Sequence, residues 1–158
     1  MTPIRQTNWQ LFSKNDKLIN PAINSWINED KSLINRLSKK YGEISLQLIS
    51  EKICIHKDEE ISDQELEGNL RKIFLSSDKG VVYAESFFSN SVINKFNKFG
   101  ALGNQALGKY LFSLKEIEKL ETYVAEYVFE NLIYTGRKCV YSLSNSKFSV
   151  IEVFLFNE

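Results

Sequence analysis

Apolar and polar positions follow two rhythms along the chain, helical near the start and strand-like through most of the remainder. "DKSLINRLSKKYG" places Leu33, Ile34 and Leu37 on one side of a helix, with Gly42 as its stop. "NPAINSWI" predicts an earlier helix from Pro21. Asn20 stands at the cap and the proline at the first helical position, where its missing N–H costs nothing. After Gly42 the period shortens. "EISLQLISEKICIH" interleaves polar residues with Ile and Leu and predicts a long strand, and the acidic "KDEEISDQELEGN" behind it predicts a solvated loop. "LRKIFLSSDKGVVYAESFF" predicts a hairpin turning through Asp78, Lys79 and Gly80, with the glycine at the left-handed position. Val92, Ile93, Phe96 and Phe99 return briefly to helical spacing, at about 90 to 99. "KLETYVAEYVFE" predicts a strand, and "GRKCVYSLSNSKFSVIEVFLFN" a hairpin around "SNSK" that closes on the most apolar run of the protein. Helices first and antiparallel strands later define an α+β domain. We expect one domain over residues 1–158, an antiparallel sheet of about six strands with helices packed on one face.

Composition narrows the function more than the fold. With 43% hydrophobic, 13% aromatic and 25% charged residues the chain can bury a complete core. Its formal net charge is zero and its lysines are dispersed, which leaves no electrostatic footprint for nucleic acid or an anionic membrane. No run of eighteen apolar residues predicts membrane insertion, and "MTPIRQTNWQLFSKND" has neither signal-peptide nor transit-peptide character. Cys54 and Cys139, both inside strand patterns, predict no disulfide scaffold and fit a reducing compartment. Cys54 and His56 could be imagined on one metal, but the chain has a single histidine and no second ligand pair, so no metal is assigned. Heavy use of Ile, Asn and Lys, against arginine only at positions 5, 36, 71 and 137, is a codon bias of AT-rich genomes and points to a low-GC bacterium or an organelle.

Three features carry candidate chemistry. Gly103 to Lys109 spells G-x-x-x-x-G-K, the opening of a phosphate-binding loop, but Tyr110 replaces the Ser or Thr that would hold magnesium, and the segment before it is helical instead of a buried strand. A nucleotide is not expected. Glu152 interrupts "VIEVFLF" and Arg71 interrupts "LRKIFL". Each either faces solvent, or joins a structural ion pair, or faces a cavity, since an unpaired buried charge costs several kcal/mol. In the last case an arginine fork suits a ligand carboxylate, and a glutamate nearby suits hydrogen bonding or proton exchange with a ligand hydroxyl. The ligand would be a small aromatic or ring acid.

The order of these segments resembles the chorismate pyruvate-lyase family. "WINEDKSLINRL", "LRKIFLSSDKGVVYAES", "LGNQALGKYLF" and "RKCVYSLSNSKFSVIEVFLF" carry the likeness from about Pro21 to Phe156. The L-G-x-x-x-L-G-[KR]-Y-L-F segment and the terminal E-[VL]-F-L strand are its most specific pieces. The composition is further similar to the versions encoded in red-algal plastid genomes, which implies the plastid stroma as location if the chain is organelle-encoded and the cytoplasm otherwise. The resemblance implies an enzyme that removes pyruvate from chorismate to leave 4-hydroxybenzoate, without metal or organic cofactor, acting as a monomer and feeding quinone synthesis. It implies a product held in a closed cavity beside the sheet, under flap-like helical segments. By position Arg71 would bind the ligand carboxylate, Glu152 would lie near the product hydroxyl, Leu107 would offer its backbone N–H, and Leu33 would contribute from the "SL" element. Gly103 and Gly108 would let the backbone come close to the bound acid. Two departures stand out. Glu85 occupies the place after Ala84 where bacterial members often carry arginine, and Ala106 replaces the proline before Leu107. Since the same fold serves as the sensing half of some transcription regulators, a non-catalytic module binding an aromatic acid is the alternative.

Overall fold

A computed structural model describes residues 1–13 and 21–156, so the expected cap at Asn20 lies outside the described residues. Two short strands, β1 (Ile4–Arg5) and β2 (Gln10–Phe12), precede helices α1 (Pro21–Ile27) and α2 (Leu33–Tyr41). Three long strands come next, β3 (Ser45–His56), β4 (Leu66–Ser76) and β5 (Gly80–Ser89). Then come α3 (Asn90–Lys95), a 3-10 helix at Asn97–Gly100 and α4 (Gly108–Leu111), before β6 (Ile117–Phe129), β7 (Leu132–Leu143) and β8 (Ser146–Phe154).

Local chemistry explains most of these boundaries. Ser32 caps α2 by accepting from the Asn35 N–H at 3.3 Å, and Gly42, at φ 84°, ends it in the left-handed region. The β7–β8 hairpin turns on Ser144 and Asn145, both at positive φ, as the two-residue turns that match strand twist require. Glu130 and Asn131 do the same between β6 and β7. The β4–β5 turn differs from expectation: Ser76 pairs with Gly80, so the turn is Ser77 to Lys79 and Gly80 already opens β5. A register shift beside Leu75 absorbs the extra residue.

All strands join one antiparallel sheet in the order β1-β6-β7-β8-β5-β4-β3, with β2 also paired to β6. The six long strands are those the hydrophobic pattern predicts. β1 and β2 raise the count among the described residues to eight; at two and three residues they are too short to show a period. Two consecutive meanders, β3-β4-β5 and β6-β7-β8, meet along β5 and β8, where Tyr83 pairs with Val153 and Ala84 with Glu152.

The sheet is strongly curled. Phe74 on β4 and Phe129 on β6 are four strand spacings apart, about 19 Å in a flat sheet, yet their ring centroids lie 6.1 Å apart. The concave face holds a core of Tyr83, Ala125, Tyr127, Val153 and Leu155. The convex face carries the helices, as expected. α1 and α2 pack on Ile73, Leu75, Ala84 and Phe154, whereas α3, the 3-10 helix and α4 pack on Phe88, Phe148 and Val150. No helix among the described residues is long and apolar enough to cross a membrane.

One expectation fails on the concave side. The acidic stretch after β3 is not simply solvated, because Asp58 is buried and accepts from Lys138 and Ser149, while Glu60 takes a second Lys138 proton at 2.7 Å. Lys138 is equally buried, and only a paired carboxylate makes that tolerable.

Candidate active site

Between the convex face and its two helical covers lies a cavity of about 770 Å³, within the size range of small-molecule sites. Its floor is set by sheet register. One rung runs Arg137, Glu152, Ala84, Ile73 across β7, β8, β5 and β4; the next runs Cys139, Val150, Ser86, Arg71. Strand alternation turns these residues to one face. Arg71 and Glu152 therefore sit two strands and one rung apart, about 12 Å between Cα atoms from standard spacings, with both side chains lining the cavity. Leu33, at the start of α2, and Leu107, just before α4, line it from the two covers. All four residues singled out in the sequence thus come together.

Glu152 is neither solvent-facing nor paired with Arg71. Its Oε1 accepts from Arg137 Nε at 2.8 Å, with side chains only 14% and 5% exposed. Arg137 Nη1 donates to the carbonyls of Trp26, Ile27 and Glu29 at 3.0, 3.1 and 2.9 Å, closing the C-terminal end of α1. Burial opposes the Arg137 charge, but the Glu152 carboxylate more than compensates and pushes the guanidinium pKa up. The ion pair ties the floor to its cover. It also keeps a carboxylate in a largely apolar enclosure.

Arg71 is 2% exposed and lies under the loop after the 3-10 helix. Its Nε and Nη2 donate to the Gly103 carbonyl at 3.2 and 2.9 Å, and Nη2 donates to the Gln105 carbonyl at 2.6 Å. Nη1 donates to no protein group among the described residues. Glu51, directly across on β3, completes the clamp by accepting from Leu102 N and Gly103 N at 2.8 and 2.9 Å and from Asn69 Nδ2 at 2.9 Å. Burial pushes the Glu51 carboxyl up, but Asn69, the two loop N–H groups and the Arg71 charge together hold it below its ordinary value. Burial pushes Arg71 down, with Glu51 opposing.

The loop glycines divide in role. Gly103, at φ 58°, makes the turn, and its N–H serves Glu51, so the carboxylate that the Gly103 turn meets is the protein's own. Gly108 lines the cavity. The Leu107 N–H donates to no protein acceptor among the described residues, while the Leu107 carbonyl accepts from Tyr110 and Leu111. Glu85 turns to the concave face, where Tyr83 Oη donates to it at 2.6 Å. Beside Arg71, β5 instead offers the cavity the buried hydroxyl of Ser86. Tyr141 also lines the cavity, its phenol pKa pushed up by burial.

Arg137, Glu51 and Lys119 were not distinguished by sequence reasoning. A signal for Arg137 existed: counting outward from a two-residue turn at Ser144 and Asn145 places it opposite Glu152. Glu51 had none, since its partners are loop N–H groups far along the chain. Cys54 and Cys139 are free thiols, and His56 packs its ring on Phe87 at 4.7 Å. No group of three or more His, Cys, Asp or Glu side chains among the described residues is placed to hold a metal ion.

A cavity of this size lined by Arg71, Glu152 and apolar side chains defines a small-molecule site on an α+β scaffold. The chain belongs to the chorismate lyase family, whose sequence profile matches residues 4–158. It is 28% identical to a probable chorismate pyruvate-lyase of Pseudoalteromonas translucida (strain TAC 125), covering 93% of this chain and 91% of that protein. It is 22% identical to a probable chorismate pyruvate-lyase of Pasteurella multocida (strain Pm70), covering 96% and 90%.

Proposed function

We propose that the protein is a chorismate pyruvate-lyase producing 4-hydroxybenzoate and pyruvate, with Arg71 and Glu152 as the polar ends of its site. The observation that carries this reading is that Arg71 and Glu152 line one cavity on the helix-covered face of the sheet in a chain of the chorismate lyase family. Arg71, through Nη1, and the Leu107 N–H hold the ring carboxylate. Glu152 faces the hydroxyl end as hydrogen-bond partner or proton carrier, and Leu33 closes the cover. The ring of chorismate becomes aromatic once the enolpyruvyl C–O bond breaks and one ring proton leaves. A pocket that fixes the carboxylate and holds the ether in a reactive conformation therefore supplies much of the acceleration by positioning. The product suits quinone-ring synthesis, and the Ile-, Asn- and Lys-rich composition suits a plastid stroma. Immunolocalisation in the source cells tests that location.

The direct test mixes purified protein with chorismate, without added metal or cofactor, and measures both products by chromatography. Equal amounts of 4-hydroxybenzoate and pyruvate above the spontaneous background are expected, with turnover lost in Arg71→Ala and Glu152→Ala that remain folded. Saturable 4-hydroxybenzoate binding without pyruvate release would make the protein a binding module instead. Full activity in either variant would remove that residue from the site.

A further inference from the structure

We propose that Lys119 is the docking cation for a second ligand carboxylate, the one on the fragment that leaves, so that the site selects a dicarboxylic substrate over its monocarboxylic product. This rests on the lyase reading above. A second carboxylate on the substrate is best matched by a second cation, since a charge-assisted hydrogen bond is stronger than a neutral one, and Arg71 provides the first. Of the other cations lining the cavity, Arg137 is committed to Glu152 and to three carbonyls. Lys31 and Lys109 are exposed residues on the covering segments. Of these three lysines Lys119 is the one that stands on the sheet, in β6, with its side chain 29% exposed.

Its direction is built into the strand. Thr122 and Val124 pair with Cys139 and Arg137 and share their cavity-facing side, so simple alternation would turn Lys119 to the concave core. A register shift between Lys119 and Glu121 inserts Leu120 as an extra residue, reverses the alternation and brings Lys119 opposite Tyr141 on the cavity face. Bulges are used beside functional sites to re-aim a side chain in this way. Lys119 Nζ there donates to Asp30 Oδ1 at 2.7 Å, a carboxylate on the α1–α2 connection that also lines the cavity. The Asp30 side chain is 54% exposed, and an ion pair so open to water is readily exchanged. Asp30 thus occupies the position that a ligand carboxylate takes.

The test compares wild type, Lys119→Gln and Asp30→Asn in three measurements: steady-state turnover of chorismate, calorimetric binding of chorismate in the cold, and calorimetric binding of 4-hydroxybenzoate. Loss of a charge-assisted hydrogen bond predicts that Lys119→Gln raises KM about tenfold or more, a larger change than any fall in kcat, and weakens chorismate binding in parallel. Binding of 4-hydroxybenzoate should stay within about twofold of wild type, since the monoacid lacks the group that Lys119 holds. Asp30→Asn, which releases Lys119, should leave KM unchanged or lower it. An unchanged KM in Lys119→Gln overturns the proposal. So does an equal rise in KM in both variants, which would make the bridge a structural tie. A wild type inactive on chorismate defeats the lyase reading instead, and chorismate binding by wild type against Lys119→Gln then still decides the role of Lys119.

Discussion

Replacing Arg137 with methionine tests how the floor and cover of the cavity are joined. The side chain makes one ion pair and three hydrogen bonds to carbonyls, all in buried or part-buried surroundings. Removing one partner of a buried ion pair costs about 3–5 kcal/mol, because the charge left behind keeps its desolvation penalty. The three carbonyls add less, since each is a neutral acceptor, and we expect a total of about 4 kcal/mol. For a chain of this size that lowers Tm by roughly 10 °C. The orphaned Glu152 would have its pKa raised above the unfolded value, so the folded variant binds protons more readily than the unfolded chain. The gap between wild type and variant should then narrow as pH falls from 7 towards 5. Replacing both residues, Arg137→Met with Glu152→Leu, removes the stranded charge and should recover about 2 kcal/mol relative to the single variant. Urea unfolding at several pH values measures all of this. A loss below about 1 kcal/mol in Arg137→Met, or a double variant as damaged as the sum of the singles, would refute the reasoning.

Two other parts of the structure give further expected outcomes. Burial pushes His56 below its ordinary value of 6.5, with Asp58 and Glu85 opposing, so on acidification the unfolded chain takes up that proton first. Stability should fall as pH drops through about 6.5, and His56→Gln should flatten that slope; an identical slope in the variant would place its origin elsewhere. Glu130 and Asn131 turn the β6–β7 hairpin at φ 50° and 65°, so Glu130→Asn with Asn131→Gly should stabilise the protein by about 0.5–1 kcal/mol, read as a rise in the urea midpoint with unchanged slope.

The long strands and both early helices were legible because each buries one face over seven or more residues, enough to show a period. β1 and β2 were not, since they lean on β6 and have almost no pattern of their own. Arg71 and Glu152 stood out as charges in apolar runs, and sheet register then brought them to one cavity. What sequence left open was which charges partner which. Glu152 is satisfied by Arg137 and Arg71 by loop carbonyls, and Asp58 reaches Lys138 some eighty residues away. Alternation settled Glu85: its neighbours Ala84 and Ser86 face the cavity, so the residue between them faces away. The bulge at Leu120 defeats the same rule for Lys119.

The meeting of the two meanders has a consequence for how the protein acquires its site. β3-β4-β5 and β6-β7-β8 each form from hairpins local in sequence, whereas the β5–β8 pairing joins residues such as Tyr83 and Val153 that lie far apart along the chain. Closing so long a loop delays that pairing relative to the hairpins. Arg71 and Ser86 belong to the first meander and Arg137, Glu152 and Lys119 to the second. Neither half can grip a ligand alone. The appearance of binding during refolding therefore marks the closing of this seam, and a bound ligand acts as a rivet across it, slowing its opening more than the fraying of either hairpin.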